Sequence, residues 1–166
     1  MSRGPLLISN TTFTANVAAS DGGAIFNTCS LRRGRCEIEI INSILWNNNA
    51  GNRGSEIYNS RDVRSGVSFT LIDGGVNGDG VGGVDNIDRR RNIEDDPLFA
   101  DPDRPAGPDG LFATEDDGLR LAANSPAVDA GDNSAVPSGI TTDLIGDARI
   151  QNGAVSLGAY ERGVYT

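Results

Sequence analysis

Short segments near the start of this chain alternate apolar and polar residues. The segments 12–15 (TFTA) and 37–40 (EIEI) place their apolar side chains at every second position. A spacing of two is the period of a β-strand, because successive side chains of a strand point to opposite faces. Runs of Asn and Gly, such as 47–52 (NNNAGN), separate these segments. Both residue types tolerate the left-handed backbone of sharp corners, so the pattern predicts short strands joined by tight corners.

A repeat covers this part of the chain. The segment 8–27 matches the segment 40–59 without a gap, and we refer to the offset between the two segments as the repeat shift. The identical pairs are Ile8/Ile40, Asn10/Asn42, Asn16/Asn48, Ala18/Ala50, Gly22/Gly54, Ile25/Ile57 and Asn27/Asn59. A fixed period of this size is typical of units that stack on copies of themselves and bury a shared core.

Short strands, tight corners and one period per turn predict an all-β fold. We expect a right-handed parallel β-helix of two to three coils with an irregular C-terminal cap. In such a stack Asn16 lies over Asn48 and Asn27 lies over Asn59, and each pair should hydrogen-bond along the stack. A helical solenoid is disfavoured, because so many Asn and Gly residues would break its helices. Two β-hairpins in an ordinary sandwich are the alternative.

We expect residues 1–166 to form a single domain with two parts. We expect the coils to occupy 6–91, with a third coil beginning at 67–72 and a flexible glycine-rich excursion at 73–88. From residue 92 onward the repeat is absent. We expect 92–166 to form an acidic loop and a cap over the apolar end of the stack.

The start of the chain leaves one end of the predicted stack open. The inward residues Ile8, Phe13 and Ile25 have almost no sequence before them, and the opening is typical of a piece of a longer protein. An uncovered apolar end with unpaired strand edges invites association. We therefore expect another protein chain to stack on the N-terminal coil, and a homodimer is one such arrangement.

Composition narrows the partners and the chemistry. The net charge is −9 and every one of the 14 basic residues is Arg. Nucleic acid is not an expected partner, because phosphates need a basic surface. We interpret the Arg clusters 32–35 and 89–91 as solvated loops. The sequence has no His, which removes the usual general base and zinc ligand, and it has no apolar run long enough to span a membrane.

Cys29 and Cys36 are the only cysteines and flank a short turn between the two repeats. Two cysteines in an exposed turn predict a disulfide in an extracytoplasmic protein. Two unpaired residues in a reducing compartment are the alternative.

Trp46 stands where the first repeat has Thr14, so we expect it to face outward. An exposed Trp can stack on a sugar ring, which makes Trp46 a candidate glycan contact. Packing under a neighbouring loop is the alternative.

The segment 101–118 carries the strongest candidate chemistry. Its carboxylates stand on a backbone rich in Gly and Pro, and calcium takes about six to eight oxygen ligands from flexible loops of this kind. The candidate metal ligands are Asp101, Asp103, Asp109, Glu115, Asp116 and Asp117. The spacing is not that of an EF-hand, and a solvated acidic loop without metal is an alternative of equal weight.

The C-terminal part carries four motifs: DPLF at 96–99, SPAVDAG at 125–131, DLIGDAR at 143–149 and LGAYE at 157–161. Together with GGAIFN at 22–27, they resemble the C-terminal region of secreted bacterial right-handed β-helix proteins of the choice-of-anchor Q type. The coils of those proteins are similar to the coils of pectate-lyase-like folds. The resemblance implies a β-helical protein that is secreted or bound to the cell surface, and it implies little about activity. Relatives often have a similar acidic insert, which looks like a calcium loop.

These observations favour a non-catalytic β-helix module, extracellular or at the cell surface, that contacts a glycan or a partner chain and is stabilised by calcium. No catalytic residue is predicted, because the outward positions carry mainly Asn, Thr and Ser, while Asp21, Arg53 and Glu56 are scattered. The alternative is the C-terminal piece of a carbohydrate-active enzyme. Polysaccharide lyases of this fold use carboxylate-bound calcium with an Arg or Lys base, and glycoside hydrolases use grouped Asp residues.

Overall fold

The computed structural model describes residues 6–28, 36–60, 63–83 and 87–161. The strands in these ranges are β1 (Leu6–Ser9), β2 (Thr12–Thr14), β3 (Val17–Ala18), β4 (Ile25–Asn27), β5 (Cys36–Ile41), β6 (Ile44–Trp46), β7 (Asn49–Ala50), β8 (Ile57–Asn59), β9 (Val63–Ser68), β10 (Leu71–Ile72), β11 (Val81–Gly83) and β12 (Ile87–Arg90). A short 3-10 helix, Asn133–Ala135, lies in the C-terminal part. None of the described segments forms a helix long and apolar enough to cross a membrane.

The strands form a parallel β-helix, as predicted. They build sheets in the orders β1-β5-β9-β12, β2-β6-β10, β4-β8-β11 and β3-β7, and every pair of these strands is parallel. We refer to β1–β4 as coil 1, to β5–β8 as coil 2, to β9–β11 as coil 3 and to β12 as the start of coil 4. The sandwich alternative is wrong, because the strands of a hairpin would pair antiparallel.

The repeat shortens from coil to coil. Strand β1 pairs with β5 at the predicted repeat shift, with Ile8 beside Ile40. Strand β5 pairs with β9 at a smaller offset, with Cys36 beside Val63. The offset between β9 and β12 is smaller again. Coil 3 passes from β10 to β11 without a counterpart of β7. The residues that the later coils lack are connecting residues, so the remaining sheets keep their register.

The predicted third coil is present and begins at Val63, a few residues before the predicted start at 67. Residues 81–83 of the glycine-rich segment take part in it, because they form β11, which pairs in parallel with β8. Gly82 of β11 lies so close to coil 2 that an added Cβ would stand 2.7 Å from the amide nitrogen of Gly54. Residues 81–83 are therefore a strand of the coil and not part of an excursion. The absence of side chains is what lets the two backbones approach.

The interior of the coils is apolar and is best covered at coil 2. The side chains of coil 2 that point inward and have no exposed surface are Ile40, Leu45 and Ile57. Their counterparts in coil 1, which are only partly buried, are Ile8, Phe13 and Ile25. Leu6 is 63% exposed, whereas its strand partner Ile38 is 5% exposed. The described residues thus leave the N-terminal end of the interior partly open, and its coverage by another chain or by a second copy stays a prediction.

Two pairs of stacked asparagines join coils 1 and 2, as predicted. The backbone N–H and Nδ2 of Asn16 donate to Oδ1 of Asn48 at 2.9 and 2.8 Å. Nδ2 of Asn27 donates to Oδ1 of Asn59 at 3.3 Å. The hydroxyl of Ser65 donates to the same Asn59 oxygen at 2.7 Å and so extends the second ladder into coil 3.

A further line of stacked residues forms the corner between sheets β1-β5-β9-β12 and β2-β6-β10. Asn10, Asn42, Phe69 and Arg91 have φ angles of 51°, 50°, 46° and 52°. A left-handed backbone costs a residue with a Cβ roughly 1–2 kcal/mol, and Asn tolerates it best after Gly. Coils 1 and 2 have a suitable residue at this corner, whereas coils 3 and 4 hold Phe69 and Arg91 in a conformation that suits neither.

The irregular C-terminal part, residues 92–161, packs along the side of the coils, and we call it the tail. Ile44 and Leu71 point outward from sheet β2-β6-β10 and are nevertheless fully buried. The tail residues that cover them are Leu121, Ala127 and Leu157. The tail reaches back as far as coil 1, where the N–H of Ala159 donates to Oγ1 of Thr12 at 3.0 Å. Its position is set by an apolar outer sheet face, whereas the sequence predicted only a cap over the end of the stack.

A buried ion pair closes the tail. Nε of Arg149 lies 2.9 Å from Oε1 of Glu161, and both side chains are almost inaccessible. Arg149 also donates to the carbonyl of Gly158 at 2.7 Å, and Glu161 accepts from the N–H of Ser156 at 2.9 Å. Burial raises the pKa of Glu161 and lowers the pKa of Arg149, and the opposite charge of each partner counteracts both shifts. The DLIGDAR and LGAYE motifs therefore meet in one structural contact.

Candidate functional site

Cys36 begins β5 and is disulfide-bonded. The part of the chain that the structure describes contains no free cysteine. Cys29 lies outside the described residues, so its pairing with Cys36 stays a prediction.

The acidic loop holds its carboxylates in local contacts. Oδ2 of Asp101 lies 2.8 Å from Nη2 of Arg104 in an exposed ion pair. Oδ1 of Asp109 accepts from the backbone N–H of Leu111 at 2.7 Å, and Oδ1 of Asp116 accepts from a neighbouring hydroxyl at 2.8 Å. These bonds shape the turns of the loop.

Two further candidate ligands lie at the surface of the loop. Asp103 and Glu115 are exposed to solvent. Among the described residues, no group of three or more His, Cys, Asp or Glu side chains could hold a metal ion. Calcium binding at this loop stays a prediction of the sequence.

Asp117 differs from the other five candidates, because it faces the protein interior. Its Oδ2 accepts from the Tyr160 hydroxyl at 2.7 Å and from the N–H of Ala113 at 2.8 Å. Burial, and after it the hydrogen bond to Asp117, raises the pKa of Tyr160. Asp117 therefore connects the acidic loop to the LGAYE motif.

Trp46 points outward, as expected, and the tail packs against it. The ring is partly buried in the cluster that contains Ile44, Leu71 and Leu121. Trp46 therefore packs against a neighbouring segment, which is the alternative to a glycan contact. A glycan contact at Trp46 stays a prediction.

Another group of aromatic and charged residues lies on the outside of coils 1 and 2. The rings of Phe26 and Tyr58 stack with their centroids 5.4 Å apart and their planes at 12°, because the register sets these residues side by side. Cζ of Arg53 stands 4.6 Å from the centroid of the Tyr58 ring. We refer to these three residues, together with Asp21 and Asn52, as the aromatic face.

Asp21 holds Arg53 in place within the aromatic face. Nη2 and Nε of Arg53 donate to the two oxygens of Asp21 at 3.1 and 3.2 Å, and Nδ2 of Asn52 donates to Asp21 Oδ1 at 2.9 Å. The hydrogen bond to Asp21 is the main cause that raises the pKa of Arg53. In the sequence these two residues looked like scattered charges. The repeat shift brings them together across two coils.

A groove of about 620 Å³ lies between the tail and the part of the coil corner that belongs to coils 3 and 4. Phe69, Arg90 and Arg91 form its coil side. The tail residues that line the other side are Gly131, Asp132, Asn133, Gly153 and Ala154. Cζ of Arg91 lies 5.4 Å from the centroid of the Phe69 ring, so the two corner residues stack on each other.

Hydrogen bonds hold the tail side of the groove. Oδ1 of Asn42 accepts from the N–H of Asp132 at 2.8 Å, and its Nδ2 donates to the carbonyl of the same residue at 3.0 Å. Nδ2 of Asn133 donates to the carbonyl of Gly153 at 2.8 Å, and its Oδ1 accepts from the N–H of Val155 at 2.8 Å. The groove is therefore a preformed feature of the fold.

The groove was not predicted from the sequence. The interpretation of 89–91 as a solvated loop is wrong, because residues 89 and 90 belong to strand β12. No sequence signal brings residue 91 next to residues 131–133. The sequence signal that could have indicated the groove is the corner position of Phe69 and Arg91. This position is recognised only when the smaller offsets of the later coils place the two residues in line with Asn10 and Asn42.

Glu56 is a fully buried carboxyl group of coil 2 and not the scattered outward charge that the sequence suggested. The N–H of Asn48 donates to its Oε1 at 3.1 Å, and Nδ2 of Asn48 donates to its Oε2. Burial is the main cause that raises the pKa of Glu56 to about 7, and the charge of Asp73 adds to it. This group bears on stability and not on a surface site.

A scan of the chain against protein-family models gives no match, and a search of curated proteins gives none either. The class of protein is defined by the fold: a parallel β-helix whose irregular C-terminal part packs against one sheet. Two surface features, the aromatic face and the groove, are the candidate sites on this scaffold.

Proposed function

We propose that this chain is a non-catalytic β-helical module of an extracellular or cell-surface protein that contacts glycan chains through the aromatic face. The stack of Phe26 and Tyr58 with its adjacent Arg53–Asp21 pair carries the proposal. Aromatic rings bind the apolar side of a sugar ring, while charged and amide groups beside them bind its hydroxyls. The resemblance of the sequence motifs to secreted β-helix proteins supports the location.

Phe26 is the ring that a sugar can reach. It is 54% exposed and lies on β4, which ends its sheet. No other strand in the described ranges covers the ring on the side away from Tyr58, so a sugar and a chain stacked on coil 1 would compete for this side. A sugar ring stacked there would extend the existing pair. The hydrogen bonds among Asp21, Asn52 and Arg53 hold the polar part of the aromatic face in place.

The test is affinity electrophoresis in gels that contain a neutral polysaccharide, either xylan, galactan or hydroxyethylcellulose. At least one polysaccharide should retard the wild-type chain. Phe26→Ala should weaken this binding roughly threefold to tenfold, because an aromatic stacking contact contributes about 0.5–1.5 kcal/mol. Phe112→Ala is the matched control, because Phe112 is also an exposed ring, 60% accessible, and lies outside the aromatic face. Equal mobility of all three proteins in every gel would contradict the proposal.

A further inference from the structure

We propose that the groove between the coil corner and the tail binds an acidic sugar, a ring that carries hydroxyl groups together with one carboxylate or sulfate. The groove shares no residue with the aromatic face. The inference is therefore independent of the glycan contact proposed above.

Two residues of this corner have a strained backbone. Asn10 and Asn42 occupy the left-handed corner position in coils 1 and 2, and Phe69 and Arg91 occupy it in coils 3 and 4. Asn would suit positions 69 and 91 better than the residues that occupy them. Strained residues of this kind are concentrated at binding and active sites. Here the two corner residues that do not suit the conformation both line the groove, and they stack on each other.

The charge of the coil side selects an anion. Arg90 and Arg91 both line the groove of a protein whose net charge is −9. Arg91 is exposed and has no carboxylate partner among the described residues, and its contact is the ring of Phe69. A guanidinium presents paired N–H donors that match a carboxylate or a sulfate. Stacking on Phe69 holds it in position for such a ligand.

The tail side of the groove adds a hydrogen-bond acceptor, and this acceptor favours a sugar over an acidic peptide as the ligand. Oδ1 of Asp132 accepts from the N–H and the hydroxyl of Ser134 at 2.9 and 2.7 Å. Oδ2 of Asp132 makes no hydrogen bond within the described part of the chain. A sugar hydroxyl can donate to this oxygen while the acidic group of the ligand binds Arg91. The several carboxylates of an acidic peptide would be repelled by Asp132.

The size of the groove agrees with this ligand. Small-molecule sites have volumes of about 300–1,000 Å³, and the groove has about 620 Å³. That volume accommodates about one or two sugar rings. The hydrogen bonds of Asn42 and Asn133 keep the tail side in place before a ligand binds.

The test compares the wild-type protein with the variant Arg91→Asn. Each protein is titrated with three probes, glucuronate, glucose and acetate, and binding is followed by NMR. Wild-type protein should bind glucuronate at least tenfold more tightly than glucose or acetate, because only glucuronate has both the charge and the hydroxyls. Arg91→Asn should weaken glucuronate binding roughly tenfold. Its melting temperature should equal or exceed that of the wild type, because Asn suits the corner. Arg104→Asn is the control, because Arg104 is an exposed, ion-paired Arg outside the groove.

Several results would overturn the inference. Glucuronate binding that is unchanged in Arg91→Asn, or absent in the wild type, would remove the site. Acetate that binds as tightly as glucuronate would show an adventitious ion only. Tighter binding of acetyl-Asp-Asp at the same residues would assign the groove to an acidic peptide. If Arg91→Asn melts at a lower temperature, Arg91→Gln takes its place in the titration. Retention on neutral polysaccharides should be the same in Arg91→Asn and the wild type, which keeps this test separate from the test of the aromatic face.

Discussion

Asn48 joins the asparagine ladder to the buried acid Glu56. Its Oδ1 accepts both hydrogen bonds from Asn16, so its Nδ2 must face the carbonyl of Phe13 and the carboxyl group of Glu56. A flipped amide would break all of these bonds. The donors of Asn48 favour ionised Glu56, but burial outweighs them and the pKa rises. One residue therefore links the stacking of the coils to a titrating group.

We predict that the protein becomes less stable as the pH rises through the range in which Glu56 ionises. Its pKa is about 7 in the fold and ordinarily 4.5. The folded state therefore keeps a proton that the unfolded state releases. The resulting stability is fully present below about pH 4.5 and is lost as the pH rises through about 7, with an upper limit of about 3 kcal/mol.

Thermal melts at pH 5 and pH 8 check this prediction. The wild-type melting temperature should fall between the two pH values by several degrees more than that of Glu56→Gln, which has a similar shape and does not titrate. Glu37→Gln, a change at an exposed glutamate of β5, should behave like the wild type. The prediction fails if the Glu56→Gln and wild-type proteins lose the same number of degrees.

At the scale of strands and coils, close approach of backbones decides where coil 3 can form. Strand β11 stacks on β8 because Gly82 has no side chain to meet Gly54. Gly66 in β9 is a different case, because its added Cβ would meet only the Glu39 side chain at an ordinary 3.7 Å. The two glycines make a matched pair within one coil.

We predict that Gly82→Ala destabilises the protein by about 1–3 kcal/mol, because the methyl group would force the backbones of coils 2 and 3 apart. Gly66→Ala should be neutral or stabilise by up to about 1 kcal/mol, because Gly weakens a strand when no contact requires it. Urea unfolding followed by circular dichroism gives both values. Equal midpoints for the two variants would show that coil 3 does not depend on this contact.

At the scale of the whole molecule, the tail is fastened by polar contacts around an apolar patch. Ile44 and Leu71 need a cover, and the tail provides it. The Arg149–Glu161 pair then fixes the end of the tail, and Oδ2 of Asp143 accepts from the N–H of Glu161 at 2.8 Å. Buried pairs of this kind tolerate the loss of one partner poorly, because the other charge stays in a dry environment.

We predict that Glu161→Gln costs about 3–5 kcal/mol, because it leaves the Arg149 guanidinium buried without its counterion. Asp101→Asn breaks the exposed pair with Arg104 and should cost less than about 1 kcal/mol. Urea unfolding measures both changes, and limited proteolysis shows whether the tail is released first. A loss of under about 1 kcal/mol for Glu161→Gln would mean that the ion pair does not hold the tail.

The sequence by itself determined the features that depend on the repeat. The period-two pattern, the repeat shift and the paired asparagines predicted the parallel β-helix, the ladders of Asn16 and Asn27, and the outward position of Trp46. These features follow from local backbone preference and from stacking of like on like. The later coils were less clear, because their smaller offsets no longer align with the first repeat.

Only the tertiary structure decided where the non-repeating part of the chain lies. Asp132 contacts Asn42 although the two residues are far apart in the sequence. Arg91 and Asp132 line the same groove because the tail packs on the outward side of Ile44 and Leu71. The burial of Glu56 and the pairing of Arg149 with Glu161 likewise depend on how separate segments pack. Desolvation and shape complementarity between distant segments set these contacts, and neither leaves a periodic trace in the sequence.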